Sequence, residues 1–246
     1  MIDTHAHLDA CADPPAELLR RARAAGVTRV LTVGTTVAGA REALALARAH
    51  EGVHAIVGVH PHEADDDHDF GALEELLADE RAVAVGETGL DYFRDYAPRE
   101  RQRALFDAQL ELARRNGKPV VIHNRAADAD VVAALESFGG DVVLHCFSYP
   151  SVLPIALDRG WYVSFAGNAT YKNASDLRVA ASQVPADRVL VETDCPYLAP
   201  QAVRGRPNEP AFVVHTLAAL AHVRGVGEDE LARQVDENAT RVFGLA

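Results

Sequence analysis

His5 and His7 stand one residue apart in Ile2-Asp3-Thr4-His5-Ala6-His7-Leu8-Asp9. Side chains alternate between the faces of an extended strand, so both imidazoles project to the same side. Two imidazoles that close can chelate one borderline metal ion, although a solvated strand would carry the same pair. Further ligand-type residues follow apolar runs along the chain. They are Gly58-Val59-His60-Pro61-His62, Gly86-Glu87-Thr88-Gly89-Leu90-Asp91-Tyr92, His123-Asn124-Arg125, His145-Cys146-Phe147-Ser148 and Glu192-Thr193-Asp194-Cys195-Pro196. Three imidazoles and a carboxylate can make one metal site, with the carboxylate shared by a second. Paired cations lower the pKa of bound water, which then becomes nucleophilic near neutral pH.

These residues need elements to position them. Strands are expected at Ile2–Thr4, Thr28–Val33, Val53–Val59, Ala82–Gly86, Pro119–His123, Asp141–His145, Trp161–Phe165 and Arg188–Glu192. Amphipathic helices are expected between them, at Pro14–Ala25, Val37–His50, Phe70–Ala78, Pro98–Asn116, Ala127–Phe138, Ser151–Arg159 and Ala174–Gln183, with Glu209–Arg224 and Glu228–Phe243 closing the chain. First-turn prolines and terminal glycines such as Gly117 mark several helix ends. Eight strands alternating with helices predict a parallel sheet closed into a (β/α)8 TIM barrel, a single domain over residues 1–246. Reacting groups in such barrels sit at the carboxyl ends of strands. Histidines or carboxylates occupy six of the eight expected ends, too many to attribute to separate core histidines.

The length of 246 residues fits one such barrel, and 48% hydrophobic residues suffice for a large core. No apolar run reaches membrane-spanning length, and the first residues lack a basic segment followed by an apolar one. The expectation is a soluble cytoplasmic protein without a membrane partner, and a monomer. Cys11, Cys146 and Cys195 are scattered and predict no disulfide framework. A formal charge of −12 argues against loose electrostatic binding to long nucleic acids, though not against a nucleic-acid substrate. Asp65-Asp66-Asp67 reads as a solvated loop. His50, His54, His68, His215 and His222 lie away from strand ends and read as surface or packing residues.

The motifs DTHAHLD, VGVHPH, AVGETGLDYF, VIHNR, LHCFS, SFAGNATYKNASDLR, RVLVETDCPYLAP and RGRPNEP run nearly from end to end. Together they closely resemble the TatD family of metal-dependent deoxyribonucleases, within the amidohydrolase-like barrels. The resemblance implies two divalent ions (zinc, manganese or magnesium), with a third conceivable. His5, His7, Glu87 and Asp194 would hold the first; Glu87, His123 and His145 would hold the second, with Glu87 bridging. Asp194 would also be the general base. His60 and His62 would lie near the scissile phosphate, assist the leaving group or hold a further metal. Asp91, Arg125 and Glu192 would support the ligands. Arg204, Asn208 and Glu209 belong to the last motif, near the mouth, without an assigned role. A carbamylated lysine bridges metals in related barrels, but Lys118 precedes its strand and is expected on the opposite face.

The implied reaction is removal of nucleotides from single-stranded DNA ends by a metal-activated water. The alternative is a metal-dependent deacylase acting on mischarged aminoacyl-tRNA or another amide or ester. Tyr92, Phe93, Tyr149 and Tyr171 fall near the expected mouth loops, where each can stack a base or simply pack, and Lys172, Arg94, Arg204 and Arg206 can meet phosphates there. One departure stands out. The family usually has glycine after His-Cys-Phe-Ser, whereas Tyr149-Pro150 follows here. A glycine would let backbone approach a ligand or adopt positive φ, which puts substrate fit at this loop in question.

Overall fold

Eight strands alternate with helices along the chain, and every neighbouring pair of strands runs parallel in the order β1 to β8. The structure is a computed structural model and describes residues 1–94 and 96–245. The strands are β1 (Ile2–Ala6), β2 (Arg29–Val33), β3 (Val53–Val57), β4 (Ala82–Asp91), β5 (Val120–Arg125), β6 (Val142–Leu144), β7 (Tyr162–Phe165) and β8 (Val189–Val191). The helices are α1 (Pro15–Ala24), α2 (Val37–Ala49), α3 (Phe70–Leu77), α4 (Arg99–Asn116), α5 (Asp128–Leu135), α6 (Leu153–Asp158), α7 (Ser175–Gln183), α8 (Val213–Arg224) and α9 (Glu228–Phe243). Strands buried on both faces explain their near-continuous apolar runs.

The sheet nearly closes on itself. Past the end of β8, Asp194 N donates to His5 O at 2.9 Å and His7 N to Cys195 O at 2.8 Å, joining that segment to β1. Asp3, fully buried, reinforces the seam by accepting from Thr193 N at 2.8 Å and Thr193 Oγ1 at 2.6 Å. Burial pushes the Asp3 carboxyl up to about 8, against the lowering effect of those hydrogen bonds.

The element ends depart from the sequence expectation where tertiary pairing intervenes. β4 was expected to stop at Gly86 but continues to Asp91, because Gly89, Leu90 and Asp91 pair with His123, Asn124 and Arg125 of β5. Gly89 is required there: at φ 138 a Cβ would lie 2.0 Å from His123 O. β3 ends at Val57 instead of Val59, and Val59 bonds a side chain instead: its N donates to Gln109 Oε1 at 2.8 Å. The helix expected from Ser151 begins α-helically only at Leu153, after a 3₁₀ turn over Pro150–Val152, and that expected from Glu209 begins at Val213, after a 3₁₀ turn over Pro210–Phe212. Both turns open on proline, which lacks the N–H but suits a first turn. Helix α2 is capped by Thr36, whose side chain accepts from Gly39 N at 2.9 Å, and α4 ends at Gly117 in the left-handed region.

Candidate metal centre

The ligand-type residues converge at the carboxyl ends of the strands, around a cavity of about 760 Å³. His5 comes from β1 and His7 from just beyond it, and their Nε2 atoms aim at the same two carboxylates. His5 Nε2 lies 3.4 Å from Glu87 Oε2 and 4.0 Å from Asp194 Oδ1; His7 Nε2 lies 3.8 Å and 3.5 Å from the same atoms. Donor atoms on one tetrahedral ion at about 2.0–2.1 Å would be roughly 3.3 Å apart, so this spacing fits a metal. His5 is fully buried, yet neither ring nitrogen has a hydrogen-bond partner among the described residues. An orphaned buried imidazole is expensive unless something absent from the protein chain satisfies it.

The other oxygen of Glu87 serves a second group. Glu87 Oε1 lies 2.7 Å from His123 Nδ1, 3.1 Å from His145 Nε2 and 3.5 Å from His60 Nε2. One buried carboxylate thus presents each oxygen to a different set of imidazoles, the disposition required of a bridge. Possible ligand clusters among the described residues are His5–His7–Asp194, His5–Glu87–His145, His60–His62–His123 and His145–Cys146–Glu192.

Electrostatics follow from this crowding. Burial raises the Glu87 carboxyl, but His145, His60 and His123 outweigh it and hold it well below the usual carboxylate range. Asp194 is lowered too, burial being outweighed by His7 and then by the charges of His145 and His5. His5 is pushed down by burial and by His145, and burial takes His60 down to about 4. For His145, burial is overcome by Glu192 and Glu87, and its pKa stands well above that of a free imidazole. Anionic carboxylates and a neutral His5 are in the protonation states a cation needs, whereas His145, and likewise His7 and His123, whose pKa values are also raised, must be neutral to coordinate one.

A supporting layer orients these groups. Asp91 accepts at Oδ2 from His62 Nε2 at 2.7 Å and His123 Nε2 at 3.3 Å, while its Oδ1 accepts from Phe93 N and Arg94 N. Glu192 Oε1 lies 2.8 Å from His145 Nδ1 and accepts from Cys146 N at 2.8 Å. Arg125 is on the cavity wall with its guanidinium 4.3 Å from the Phe93 ring centre. Among the described residues, the non-glycine positions with positive φ, Ala126, Cys146, Asp194 and Leu198, all follow β5, β6 or β8. Such backbone concentrates where neighbours over-determine it, here beside the ligands.

Other expectations sort by position. Lys118 Nζ donates to Ala82 O at 2.6 Å, at the start of β4 and away from the ligands. Asp65, Asp66 and Asp67 are exposed. Tyr149 has φ −123, so the backbone needs no glycine there; its ring instead contributes to the cavity wall. Tyr92 is tied down by its hydroxyl, donating to Asp130 Oδ2 at 2.6 Å, and Arg206 sits over Phe212 at 4.9 Å. Asn208 Nδ2 donates to Thr193 O at 2.9 Å and Glu209 pairs with Arg21 at 2.6 Å, so both brace the loop after β8. Sequence reasoning missed Asp3, Gln102, Gln109, Tyr96 and Tyr197. For the first three the available signal was a polar residue interrupting an apolar face.

Comparison with known proteins decides the family. The TatD-related DNase family matches residues 2–244. The chain belongs to that family. A metal-dependent hydrolase named TatD from Mycobacterium tuberculosis is 41% identical over 259 residues, covering 100% of this chain and 98% of that one. A protein from Pantoea ananatis named 3'-5' ssDNA/RNA exonuclease TatD is 39% identical, covering 93% of each chain. The crystal structure of the TatD homologue YJJV from Escherichia coli K12 superposes with a TM-score of 0.93 at 31% identity, covering 100% of this chain and 98% of that one. The chain is a TatD-family metal-dependent hydrolase on a barrel. No described helix is long and apolar enough to cross a membrane.

Proposed function

We propose that this TatD-family hydrolase removes nucleotides from the ends of single-stranded DNA. The observation that carries the reading is Glu87, whose two oxygens face two separate imidazole sets inside an open cavity. Relatives named as single-stranded DNA and RNA exonucleases support the substrate class. His5, His7, Glu87 and Asp194 would hold one divalent ion, and Glu87, His123 and His145 a second. His60, His62 and His123 offer a third position. Zinc, manganese and magnesium are the candidate ions. When bound, such ions stabilise charge on the phosphate oxygens and lower the pKa of the attacking water.

The chain's own groups do the rest. Asp194 Oδ1, beside His7 Nε2, is placed to orient water and take its proton. His60 and His62 face the cavity and meet the phosphate or the leaving oxygen, with His62 aimed by Asp91. Arg94 and Arg125 on the same wall are within the cavity's reach of flanking phosphates. A cavity accepts a chain end more readily than an intact duplex. We further read residues 1–246 as one hydrolase domain, monomeric and cytoplasmic.

The test is digestion of an end-labelled single-stranded oligonucleotide by metal-stripped protein, resupplied with Mg²⁺, Mn²⁺ or Zn²⁺. A metal-dependent ladder of shortened products is expected. An intact oligonucleotide together with release of amino acid from aminoacyl-tRNA would sink the exonuclease reading in favour of a deacylase.

A further inference from the structure

The imidazoles of the centre form a continuous row whose two ends are tyrosines. Ring centres are separated by 4.7 Å from Tyr96 to His62, 4.2 Å from His62 to His60 and 4.5 Å from His60 to His123. The row continues by 6.3 Å to His145, 3.7 Å to His5, 5.1 Å to His7 and 5.9 Å to Tyr197. Tyr96 is 62% exposed and Tyr197 57%, and both line the cavity. Backbone hydrogen bonds hold Tyr197 itself and the residue that follows Tyr96. Tyr197 N donates to Asp194 O at 2.9 Å, and the carbonyl of Ala97, next to Tyr96, accepts from Gln102 Nε2 at 2.9 Å. Three other aromatics, in the loops after β4 and β7, carry guanidinium groups: Arg99 over Tyr92 at 4.2 Å, Arg125 over Phe93 at 4.3 Å and Arg204 over Tyr171 at 4.4 Å. Among the described residues no guanidinium stacks on Tyr96 or Tyr197.

Building on the exonuclease reading, we propose that Tyr96 and Tyr197 are base-stacking stations on either side of the scissile phosphodiester. Each takes one of the two bases flanking the bond. Tyr96 follows β4 and Tyr197 follows β8, four strands apart around the eight-stranded barrel, so a strand reaching from one tyrosine to the other crosses the cavity that Glu87 and Asp194 line. Stacking on an aromatic ring tolerates any base, since every base has a π-face. It also requires that the base be free of its duplex neighbours, which makes the pair a selector for unpaired ends. A chain of net charge −12 has little general attraction for a polyanion, so local contacts of this kind must supply affinity.

The experiment is steady-state digestion of an end-labelled oligothymidylate, unmodified or with a tetrahydrofuran abasic residue at the terminal or the penultimate position. Wild-type protein is compared with Tyr96→Ala, Tyr197→Ala and the two Tyr→Phe variants. Each alanine variant is expected to raise KM about 5- to 100-fold on the unmodified strand with kcat nearly unchanged. Each should also lose sensitivity to one abasic position, a different one for each variant, and the phenylalanine variants should stay near wild type. Alanine variants with wild-type KM, or with undiminished sensitivity to both abasic positions, would overturn the stacking role alone. No cleavage of the unmodified strand by wild-type protein with any of the three metals would overturn the exonuclease reading and the stations with it.

Discussion

Glu87 and Asp194 keep their negative charge out of water because imidazoles surround them, and the same imidazoles offer nitrogen donors to a cation. At this scale the chemistry is local and the predictions are sharp. Asp194→Asn retains the size of the side chain but removes both an anionic donor and the base. It should lower kcat by roughly 10²–10⁴-fold while circular dichroism remains that of the parent. Turnover near the parent's would mean that another group moves the proton. His50, half-exposed at the end of α2, touches none of this, so His50→Ala should leave kcat/KM unchanged and stability within about 0.5 kcal/mol. A large loss of activity there would mean that the site lies elsewhere.

Helix α4 shows how one element aims two site loops. Gln102 and Gln109 are both fully buried on its inner face, seven residues apart, two turns of helix. Gln102 Oε1 accepts from Asp91 N at 2.8 Å, and its Nε2 donates to Asp91 O at 3.1 Å. Gln109 accepts from Val59 N and donates to Val59 O and Thr88 Oγ1 at 2.8 and 2.7 Å, gripping the segment that leads to His60. The Gln109 amide replaces the strand pairing that β3 gives up after Val57. Gln109→Leu would leave a buried N–H and carbonyl unpaired, and should destabilise the fold by about 1–3 kcal/mol in chemical denaturation. It should also lower kcat, because His60 and His62 would no longer be held. Unchanged stability would show that water replaces the amide.

At the scale of the whole molecule, the barrel gathers its donors from β1, β4 and β5 and from the segments after β1, β6 and β8, so a bound ion cross-links distant parts of the chain. An ion that binds only the folded form at a hundred times its Kd stabilises by about 2.7 kcal/mol. Stripping the metal with a chelator should therefore lower Tm by roughly 5–10 °C in a chain of this size, and resupply should restore it. A Tm indifferent to chelation would argue that the cluster holds no ion. The alternation of eight strands and helices, and the ligand types at strand ends, were legible because they depend on periods of two and 3.6 residues and on immediate neighbours. The pairing of His5 with His7 was legible for the same reason. What only the tertiary structure decided were contacts across long separations. These are the seam from Asp3 to Thr193 across 190 residues, the split of Glu87 between two imidazole sets, the extension of β4 to Asp91, and the tyrosines at the two ends of the imidazole row. Local periodicity specifies which face a side chain occupies, but barrel closure and strand register specify which distant residue it meets.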